Sequence, residues 1–339
     1  MIQQFQRGVA AIALITAIVL AASSARAQQK AEIALSRQPG IFYMPSHIME
    51  KLKLIEKHAA SLGVSGVTTK WVTFSGGGAQ TDALLAGGVD ILNTGTGNLL
   101  LLWDRTRGGV KGIVATSAQP MTLISRDANI KSIKDFGPGD KIAVPTVKVS
   151  TQAIVLQIAV GEAFGADQWS KLDANTVQLG HPDAYAALSN PKHEVHNHFS
   201  IPPFTFLELK NVPGAHIVLS SPDVMGGPLS QAQFFTTTKF ADANPKIIQA
   251  VRDATKEAQD LIRSDTKQAV EIYKEITGDK TSVEDLLNLL KEPGMMEWNL
   301  EPQGTMKFAA HLFKTGTLKS QPKAWTDYYL PVAHDLKGS

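Results

Sequence analysis

The chain alternates between short β-branched segments and longer helical segments as far as Thr238, and this alternation constrains the fold most strongly. A first strand is predicted at Ala31–Ser36, a polar–apolar helix at Met49–Leu62, and a second strand at Val67–Phe74. After Thr238 the pattern changes to consecutive helices. Strands that alternate with helices are typical of parallel-rich, doubly wound sheets. We therefore predict an α/β fold.

The remaining elements follow from the same patterns. Strands are predicted at Val89–Asn93, Gly112–Thr116, Met121–Ser125, Ile142–Pro145, Thr176–Leu179, Val195–Ser200, His216–Leu219 and Ala232–Thr236. Helices are predicted at Ala79–Gly87, Leu99–Arg107 and Thr151–Phe164. In the helical tail, residues typical of helix starts predict helices that open at Asn244-Pro245, Asp265, Ser282 and Glu301-Pro302.

Composition and charge exclude several classes of protein. The chain has 339 residues, enough for about two domains, with 43% hydrophobic residues and a net charge of only +2, so it is not disordered. The absence of cysteine excludes a disulfide scaffold, a thiolate zinc site and a cysteine enzyme. Residues 1–27 hold two of the 33 basic residues and no acid, so the remainder is neutral. A neutral chain without a basic cluster is a poor nucleic-acid binder.

The first 27 residues have the pattern of an export signal. Arg7 supplies a positive charge, Val9–Ala22 is almost wholly apolar, and Ala25-Arg26-Ala27 fits the small-x-small cleavage rule. The apolar run has about fourteen residues, whereas a span of the roughly 30 Å hydrocarbon core needs about twenty. We therefore predict cleavage after Ala27 and export to the periplasm; the alternative is an N-terminal membrane anchor.

Three predicted strand-to-helix turns share one design: Ser75–Gly78, Thr94–Asn98 and Val147–Gln152. Each places glycine or hydroxyl residues at a helix N-terminus, where N–H groups lack partners and the helix dipole is positive. In open α/β sheets, ligands bind at the carboxyl ends of the strands. Convergence of the three turns would therefore make an anion site from helix ends. For any single turn, helix capping is the simpler explanation of the same residues.

The segment His193–His198 contains three histidines and a glutamate, which are residue types that bind zinc. On a strand, His196 and His198 share a face with Glu194, whereas His193 points the other way. The spacing is not that of the helical His-Glu-x-x-His motif, and no helix is expected beside the flanking prolines. We therefore predict no metal site and interpret His198, at the end of the strand, as a ligand contact.

Enzymatic chemistry has little support in the sequence. There is no Gly-x-Ser-x-Gly nucleophile motif, and no pair of carboxylates is placed for acid–base catalysis. Trp71 and Trp103 adjoin the glycine-rich turns and fit either stacking on an aromatic ligand or core packing. Phe42 and Tyr43, in the loop after the first strand, are better placed to form a pocket wall.

Four sequence blocks resemble a known group of exported proteins. They are Ser75–Gln80 (SGGGAQ), Ala83–Ile91 (ALLAGGVDI), Ile130–Phe136 (IKSIKDF) and Gly139–Pro145 (GDKIAVP). Together and in order, they resemble the periplasmic solute-binding proteins of nitrate/sulfonate/taurine-type ABC importers, which share a domain with thiamine-pyrimidine synthesis proteins. The resemblance covers nearly all of the chain after residue 27. It implies a type II periplasmic binding protein: two doubly wound α/β lobes, joined by two crossover strands, with a ligand cleft between them.

The resemblance also implies where the lobes divide. Lobe 1 would comprise residues 28–119 and 222–339, and lobe 2 residues 120–221. The crossovers are expected near Ser117–Met121 and Ser220–Gly226, where Gln119-Pro120 and Gly226-Gly227-Pro228 interrupt the strands.

Positions carried over from the family give an expected set of cleft residues. They are Phe42, Ser75, Gly76, Gly77, Thr96, Gly97, Asn98, Ser150, Thr151, His198 and Phe199. The chain departs from many relatives at His198–Phe204, where they carry an acidic Trp-Glu-Pro-like sequence, and at His196, where they often have Asp. The ligand therefore does not simply follow from taurine or nitrate. The pyrimidine-synthesising enzymes of this fold need a cysteine-rich iron site, so the lack of cysteine argues against that activity.

The resemblance implies a binding protein and not an enzyme. It would be a monomer without a cofactor that captures a small anionic organic solute, such as a sulfonate, and delivers it to an ABC permease and its ATPase. The alternative is an exported α/β enzyme with His198 in its cleft. The effector domain of a transcription regulator shares this kind of fold, but an export signal occupies the place of its DNA-binding module.

Overall fold

A computed structural model describes residues 31–339, so the predicted export signal and its cleavage site lie outside the described residues. The described chain contains two five-stranded sheets with helices packed against them, which confirms the α/β prediction. Within this part of the chain, no helix is both long enough and apolar enough to cross a bilayer.

The strands and helices are numbered in chain order. The strands are β1 (Glu32–Arg37), β2 (Thr68–Thr73), β3 (Ile91–Gly95), β4 (Val110–Ser117), β5 (Thr122–Ser125), β6 (Lys141–Val144), β7 (Thr176–Gln178), β8 (Val195–Ser200), β9 (His216–Ser220) and β10 (Ala232–Thr237). The helices are α1 (Met44–Lys51), α2 (Leu54–Ser61), α3 (Gly77–Leu85), α4 (Thr96–Arg105), α5 (Thr151–Phe164), α6 (His181–Ser189), α7 (Phe204–Asn211), α8 (Ser221–Met225), α9 (Thr238–Ala243), α10 (Pro245–Ser264), α11 (Thr266–Thr277), α12 (Val283–Leu289) and α13 (Thr305–Lys314).

The first sheet has the strand order β2-β1-β3-β10-β4. Strand β1 runs parallel to both of its neighbours, with Leu35 opposite Trp71 on β2 and Ile91 on β3. Strand β10 lies antiparallel between β3 and β4, with Phe234 opposite Asn93 and Val114. The sheet is therefore mixed.

The second sheet repeats this plan in the order β7-β6-β8-β5-β9. Strands β7, β6 and β8 are parallel, and β5 lies antiparallel between β8 and β9, with Ile124 opposite His198 and Ile217. In each sheet, the antiparallel strand is the one that the chain enters from the other sheet. This entry explains why the sheets are less parallel than the strand–helix alternation predicts.

The chain passes between the sheets twice, from β4 to β5 and from β9 to β10. The C-terminal part of the chain braces the first connection, because Gln119 Nε2 donates to Met295 O (3.4 Å) and Glu297 O (3.3 Å). The predicted lobe boundaries at 119/120 and 221/222 fall in these connections and stay a prediction.

Helices of the tail complete the core of the first sheet. Helix α10 buries one face at helical spacing, through Ile247, Val251, Ala254, Ala258 and Ile262. Apolar residues three or four apart lie on one side of a helix, so this stripe seats α10 on the core.

The two tryptophans beside the glycine-rich turns also pack on the core. The ring centroids of Trp71 and Phe234 lie 6.4 Å apart, and those of Trp103 and Tyr328 lie 6.1 Å apart. Both pairs are edge-on, a favourable aromatic geometry. Of the two explanations for these tryptophans, the structure favours core packing.

Two predicted helices have different bounds in the structure. The segment predicted as one helix at Met49–Leu62 forms α1 and α2, because Lys53 has a left-handed backbone with φ of 50°. The last helix begins at Thr305 and not at Glu301-Pro302, since Gly304 precedes it with φ of 66°. Left-handed residues interrupt a right-handed helix, so each marks a boundary.

The expectation of no helix beside the prolines that flank His193–His198 is wrong. Helix α6 ends just before Pro191, and α7 begins directly after Pro203. Pro182 lies in the first turn of α6, where a missing N–H costs nothing. Helices α6 and α7 therefore flank β8, although the histidine segment itself forms a strand.

Candidate functional site

The three glycine- and hydroxyl-rich turns meet where the two sheets face each other. A Cβ atom on Gly76 would lie 2.9 Å from Pro145 O, and one on Gly95 would lie 2.6 Å from Thr151 Oγ1. A Cβ atom on Gly97 would overlap Val149 O. The turns after β2 and β3 therefore contact the turn after β6, and glycine permits this approach.

A fourth turn, which the sequence did not single out, joins this meeting point. A Cβ atom on Gly180, directly before α6, would lie 2.9 Å from Ser75 O. Ser75 is exposed, whereas Gly76 and Gly77 are buried. The N-termini of α3, α4, α5 and α6 therefore border one region between the sheets.

Thr151 offers the clearest unused hydrogen-bonding group at this region. It is the first residue of α5, its side chain is 1% exposed, and its Oγ1 has no hydrogen-bond partner among residues 31–339. Asn98 Oδ1 lies on the same side, since it would be 3.5 Å from a Cβ on Gly95. A buried hydroxyl without a partner is costly, so this position is suited to a bound ligand or water.

Ser150 and Thr96 have their hydroxyl groups occupied within the protein. Ser150 Oγ accepts from the backbone N–H of Ala153 at 3.3 Å, which makes it the N-cap of α5. Thr96 Oγ1 donates to Ser230 O and accepts from Gln233 Nε2. Helix capping therefore accounts for the acceptor role of Ser150, whose O–H can still donate to a ligand. The O–H of Thr96 already donates to Ser230 O, so a donor contact from Thr96 to a ligand would have to replace that bond.

A network of buried polar side chains lies at the carboxyl ends of β1 and β3. Gln38 Nε2 donates to Thr94 Oγ1 (2.6 Å) and to Gln80 Oε1 (3.0 Å), while Gln80 Nε2 donates to Ser36 Oγ (2.8 Å). Burial raises the pKa of Tyr43, whose hydroxyl also bonds to Gln38 and Thr94. This network could not be predicted from the sequence, because its members are separated by up to 58 positions yet meet in one place.

Phe42 and Phe199 are fully buried and belong to the apolar core. Phe42 lies in the short 3₁₀ turn Ile41–Tyr43, whose first residue donates its N–H to Pro202 O at 3.1 Å. This bond ties the turn to the end of β8. Both aromatic rings are core residues with no exposed surface, so neither forms a pocket wall in this structure.

His198 lies under α6 and α7 with both ring nitrogens engaged. Its Nε2 is 2.8 Å from His181 Nδ1, and its Nδ1 is 2.5 Å from Glu208 Oε1. Its side chain is fully buried. The structure therefore does not present His198 to a ligand, contrary to the interpretation from its position at the end of the strand.

The other histidines of the segment His193–His198 have different surroundings. His193 Nδ1 accepts from the backbone N–H of Val195 at 3.1 Å, and His196 is only partly buried. In residues 31–339 no group of three or more His, Asp or Glu side chains is arranged to hold a metal ion.

The third turn contains one basic residue, Lys148. It has a left-handed backbone with φ of 64°, and its side chain is exposed. Its charge opposes the effect of burial, which raises the pKa of Asp173. The charge of Lys148 therefore acts on Asp173.

Solved structures of known proteins share this fold, although no family model and no curated protein sequence matches the chain. The alkanesulfonate-binding protein SsuA from Xanthomonas axonopodis pv. citri, bound to MOPS, is 15% identical with a TM-score of 0.68, over 92% of this chain and 100% of that one. The periplasmic aliphatic sulphonate-binding protein SsuA from Escherichia coli is 18% identical with a TM-score of 0.61, over 88% and 98%.

A third similar structure is characterised by its fold and not by a ligand. A Candida albicans gene product, reported to exhibit the generic periplasmic binding protein fold, is 13% identical with a TM-score of 0.63, over 88% of this chain and 96% of that one. Sequence identities this low show the fold alone. The chain therefore has the periplasmic binding protein fold, as the sequence resemblance implies.

Proposed function

We propose that the protein is the substrate-binding component of an ABC importer, which captures a small organic anion, such as a sulfonate, in the periplasm. The ligand would lie between the two sheets, and the loaded protein would deliver it to a membrane permease and its ATPase. Two neighbours with the same fold are sulfonate-binding proteins, one of them bound to the sulfonate MOPS, and a third is described as the periplasmic sulfonate-binding protein of a putative ABC transporter.

The observation that carries the proposal is the meeting of four helix N-termini between the two sheets, with the unpartnered hydroxyl of Thr151 at the start of α5. Helix N-termini supply N–H donors and partial positive charge, which suit a sulfonate or carboxylate. The hydroxyl of Thr151 adds a donor at the first turn of α5, a helix of 14 residues. Together these groups can hold an anion without a basic side chain.

The geometry of His198 supports a binding protein over the enzyme alternative. A general base must present a free ring nitrogen to its substrate. Both nitrogens of His198 are engaged, by His181 and by Glu208. Catalysis through His198 would therefore require this pair of bonds to break first.

Binding is tested on the purified protein with a panel of small solutes. Thermal shift, followed by calorimetry, would compare MOPS, an aliphatic sulfonate, nitrate, a carboxylate and a quaternary ammonium ion. We expect the organic anions to raise the melting temperature and the ammonium ion to leave it unchanged. Stabilisation by the ammonium ion alone would overturn the proposal.

Thr151→Val tests the position of the anion, because valine keeps the shape of threonine and removes its hydroxyl. A hydrogen bond to a charged group contributes roughly 1.5–3 kcal/mol, so MOPS should bind about tenfold or more weakly. The matched control is Thr315→Val at the end of α13, which should leave the dissociation constant unchanged. Equal affinity of the Thr151→Val and wild-type proteins would place the anion elsewhere.

A further inference from the structure

Four buried polar side chains form a continuous hydrogen-bonded chain in the part of the protein that is built on the second sheet. Glu208 Oε1 lies 2.5 Å from His198 Nδ1, His198 Nε2 lies 2.8 Å from His181 Nδ1, and His181 Nε2 lies 3.3 Å from Gln152 Nε2. All four side chains are at most 2% exposed. We call this set the relay.

The relay begins at a buried carboxyl group with little else to neutralise it. Glu208 is fully buried, its Oε2 has no hydrogen-bond partner in the described part of the chain, and within that part its carboxyl group pairs with His198. Burial of an uncompensated carboxylate is very unfavourable. The Glu208–His198 pair therefore retains one proton between its two members, and its net charge is zero.

That shared proton determines which atom donates in the hydrogen bond between His198 and His181. If the proton is on His198, both ring nitrogens carry hydrogen. If it is on Glu208, the carboxyl donates to His198 Nδ1, and the hydrogen of the neutral ring is on Nε2. In both cases His198 Nε2 donates to His181 Nδ1.

The same order of donor and acceptor continues from His181 to Gln152. Burial, together with the charge of His198, holds the pKa of His181 well below its usual value, so the ring is neutral. With Nδ1 accepting, its single hydrogen is on Nε2 and points at the Gln152 carboxamide. The atom that receives it must be the oxygen, and a half turn of the carboxamide, which exchanges O and N, satisfies this requirement. The Gln152 nitrogen is then directed away from His181.

We propose that Gln152 is a specificity-determining residue of the ligand site, and that Glu208, His198 and His181 are positioning residues that keep its carboxamide nitrogen available as a donor. This inference rests on the proposed function, because Gln152 directly follows Thr151 in the first turn of α5, where we place the anion. The buried carboxyl of Glu208 thus favours an anionic ligand that it does not touch.

The first test reads the tautomer of His181 in the full protein without ligand. Two-dimensional ¹⁵N–¹H spectra of the imidazole rings, assigned with His181→Gln and His198→Gln, distinguish the two neutral forms. We expect the hydrogen of His181 on Nε2 between about pH 6 and 8, around the usual histidine range. A His181 ring with its hydrogen on Nδ1 would reverse the relay and overturn the inference.

The second test measures binding of MOPS by calorimetry. Gln152→Met, which keeps the length of the side chain and removes both polar atoms, should weaken binding about tenfold. Glu208→Leu, which removes the polar partner of His198 Nδ1, should weaken it roughly threefold, and the double variant should be no weaker than Gln152→Met alone, because Glu208 acts through Gln152. The matched control is Glu194→Gln, at an exposed glutamate directly before β8, the strand of His198; this variant should bind MOPS as the wild type does.

The outcomes separate the two proposals. If the wild-type protein binds no anion, the proposed function is wrong. The role of Gln152 in ligand binding is then wrong as well, whatever the tautomer of His181. If the wild type binds MOPS but Gln152→Met binds it equally well, or the effects of the two substitutions add, the proposed function stands and the relay inference is wrong.

Discussion

At the scale of single residues, the chemistry of the site depends on which polar groups already have partners. Ser150 and Thr151 are neighbours of the same type, yet one caps α5 and the other has an unused hydroxyl. The sequence shows two hydroxyl residues at this turn but does not show which of them caps the helix and which keeps an unused hydroxyl. That depends on the backbone angles at the helix start. The same limit applies to His198, whose partners His181 and Glu208 become visible only once α6 and α7 are placed.

The affinity for an organic anion should be nearly independent of pH. The proposed donors at the helix ends are backbone N–H and hydroxyl groups, which are neutral throughout this range. We expect the dissociation constant of MOPS to be flat from about pH 5.5 to 8, a range that spans the usual histidine pKa of about 6.5. His198→Gln should weaken binding modestly and equally at every pH.

One result would contradict the expected independence of pH. If binding weakens tenfold or more as the pH rises, and this dependence disappears in His198→Gln, then protonated His198 supplies the charge that binds the anion. The account based on helix ends would then be wrong.

The histidines of the segment His193–His198 should not make the fold depend on metal. Where a structural metal site exists, binding energy becomes folding energy, so a chelator destabilises the protein. His198 is bound by His181 and Glu208, and His193 accepts from Val195. We expect EDTA to leave the melting temperature unchanged. A clear drop that zinc reverses would show that these side chains rearrange around a metal ion.

At the scale of elements, sequence patterns located most strands to within two residues and the helix at Thr151–Phe164 at both ends. They missed α6 and α7, because Pro182, Pro191, Pro202 and Pro203 suggest loops when only the chain order is known. These prolines lie in the first turn of a helix or outside it, where proline is tolerated. The missed helices carry His181 and Glu208, so the relay could not be predicted from the sequence.

Helix α13 of the helical tail contacts the part of the protein that is built on the second sheet. One of these contacts is expected to be sensitive to pH. His311 lies edge-on to Trp169, with ring centroids 6.1 Å apart, and Lys307 Nζ donates to Val224 O at 2.8 Å. Burial and the nearby charge of Lys314 lower the pKa of His311 to about 4. The folded protein therefore keeps this ring neutral at pH values where an unfolded chain would protonate it.

The stability of the protein should decrease on acidification through this contact. Between about pH 6.5 and 4 the unfolded chain binds a proton at His311 and the folded chain does not, so the free energy of unfolding falls as the pH falls. Melting temperatures across this range should depend less on pH in His311→Gln than in the wild type. The matched control is His334→Gln, which should keep the wild-type dependence; identical curves for His311→Gln and the wild type would contradict the assignment.

At the scale of the whole molecule, two connections between two sheets allow hinge motion about the region where the helix ends meet. We expect a monomer whose radius of gyration in solution decreases when MOPS saturates it, because the ligand joins helix ends from both sheets. Scattering with and without MOPS measures this change. An unchanged radius at saturation would count against closure.

Gly97→Ala supplies the matched variant for that experiment. Its new methyl group would overlap Val149 O and would lie 2.8 Å from Ile154 Cδ1, so the two turns could not approach each other. We expect the variant to keep its fold and its open radius of gyration when MOPS is added. Gly66→Ala adds a methyl group where no atom lies within 4 Å, although its φ of 75° carries some strain, and it should close as the wild type does.

The position of β10 has a consequence for how the chain is made. This strand lies between β3 and β4, yet a ribosome synthesises residues 118–231 after β4 and before it reaches Ala232. Until then β3 and β4 have no common neighbour, and pairing over such a distance in sequence is slow. The first sheet to begin is therefore the last to be completed, and a nascent chain that stops short of β10 would leave both strand edges open to other chains.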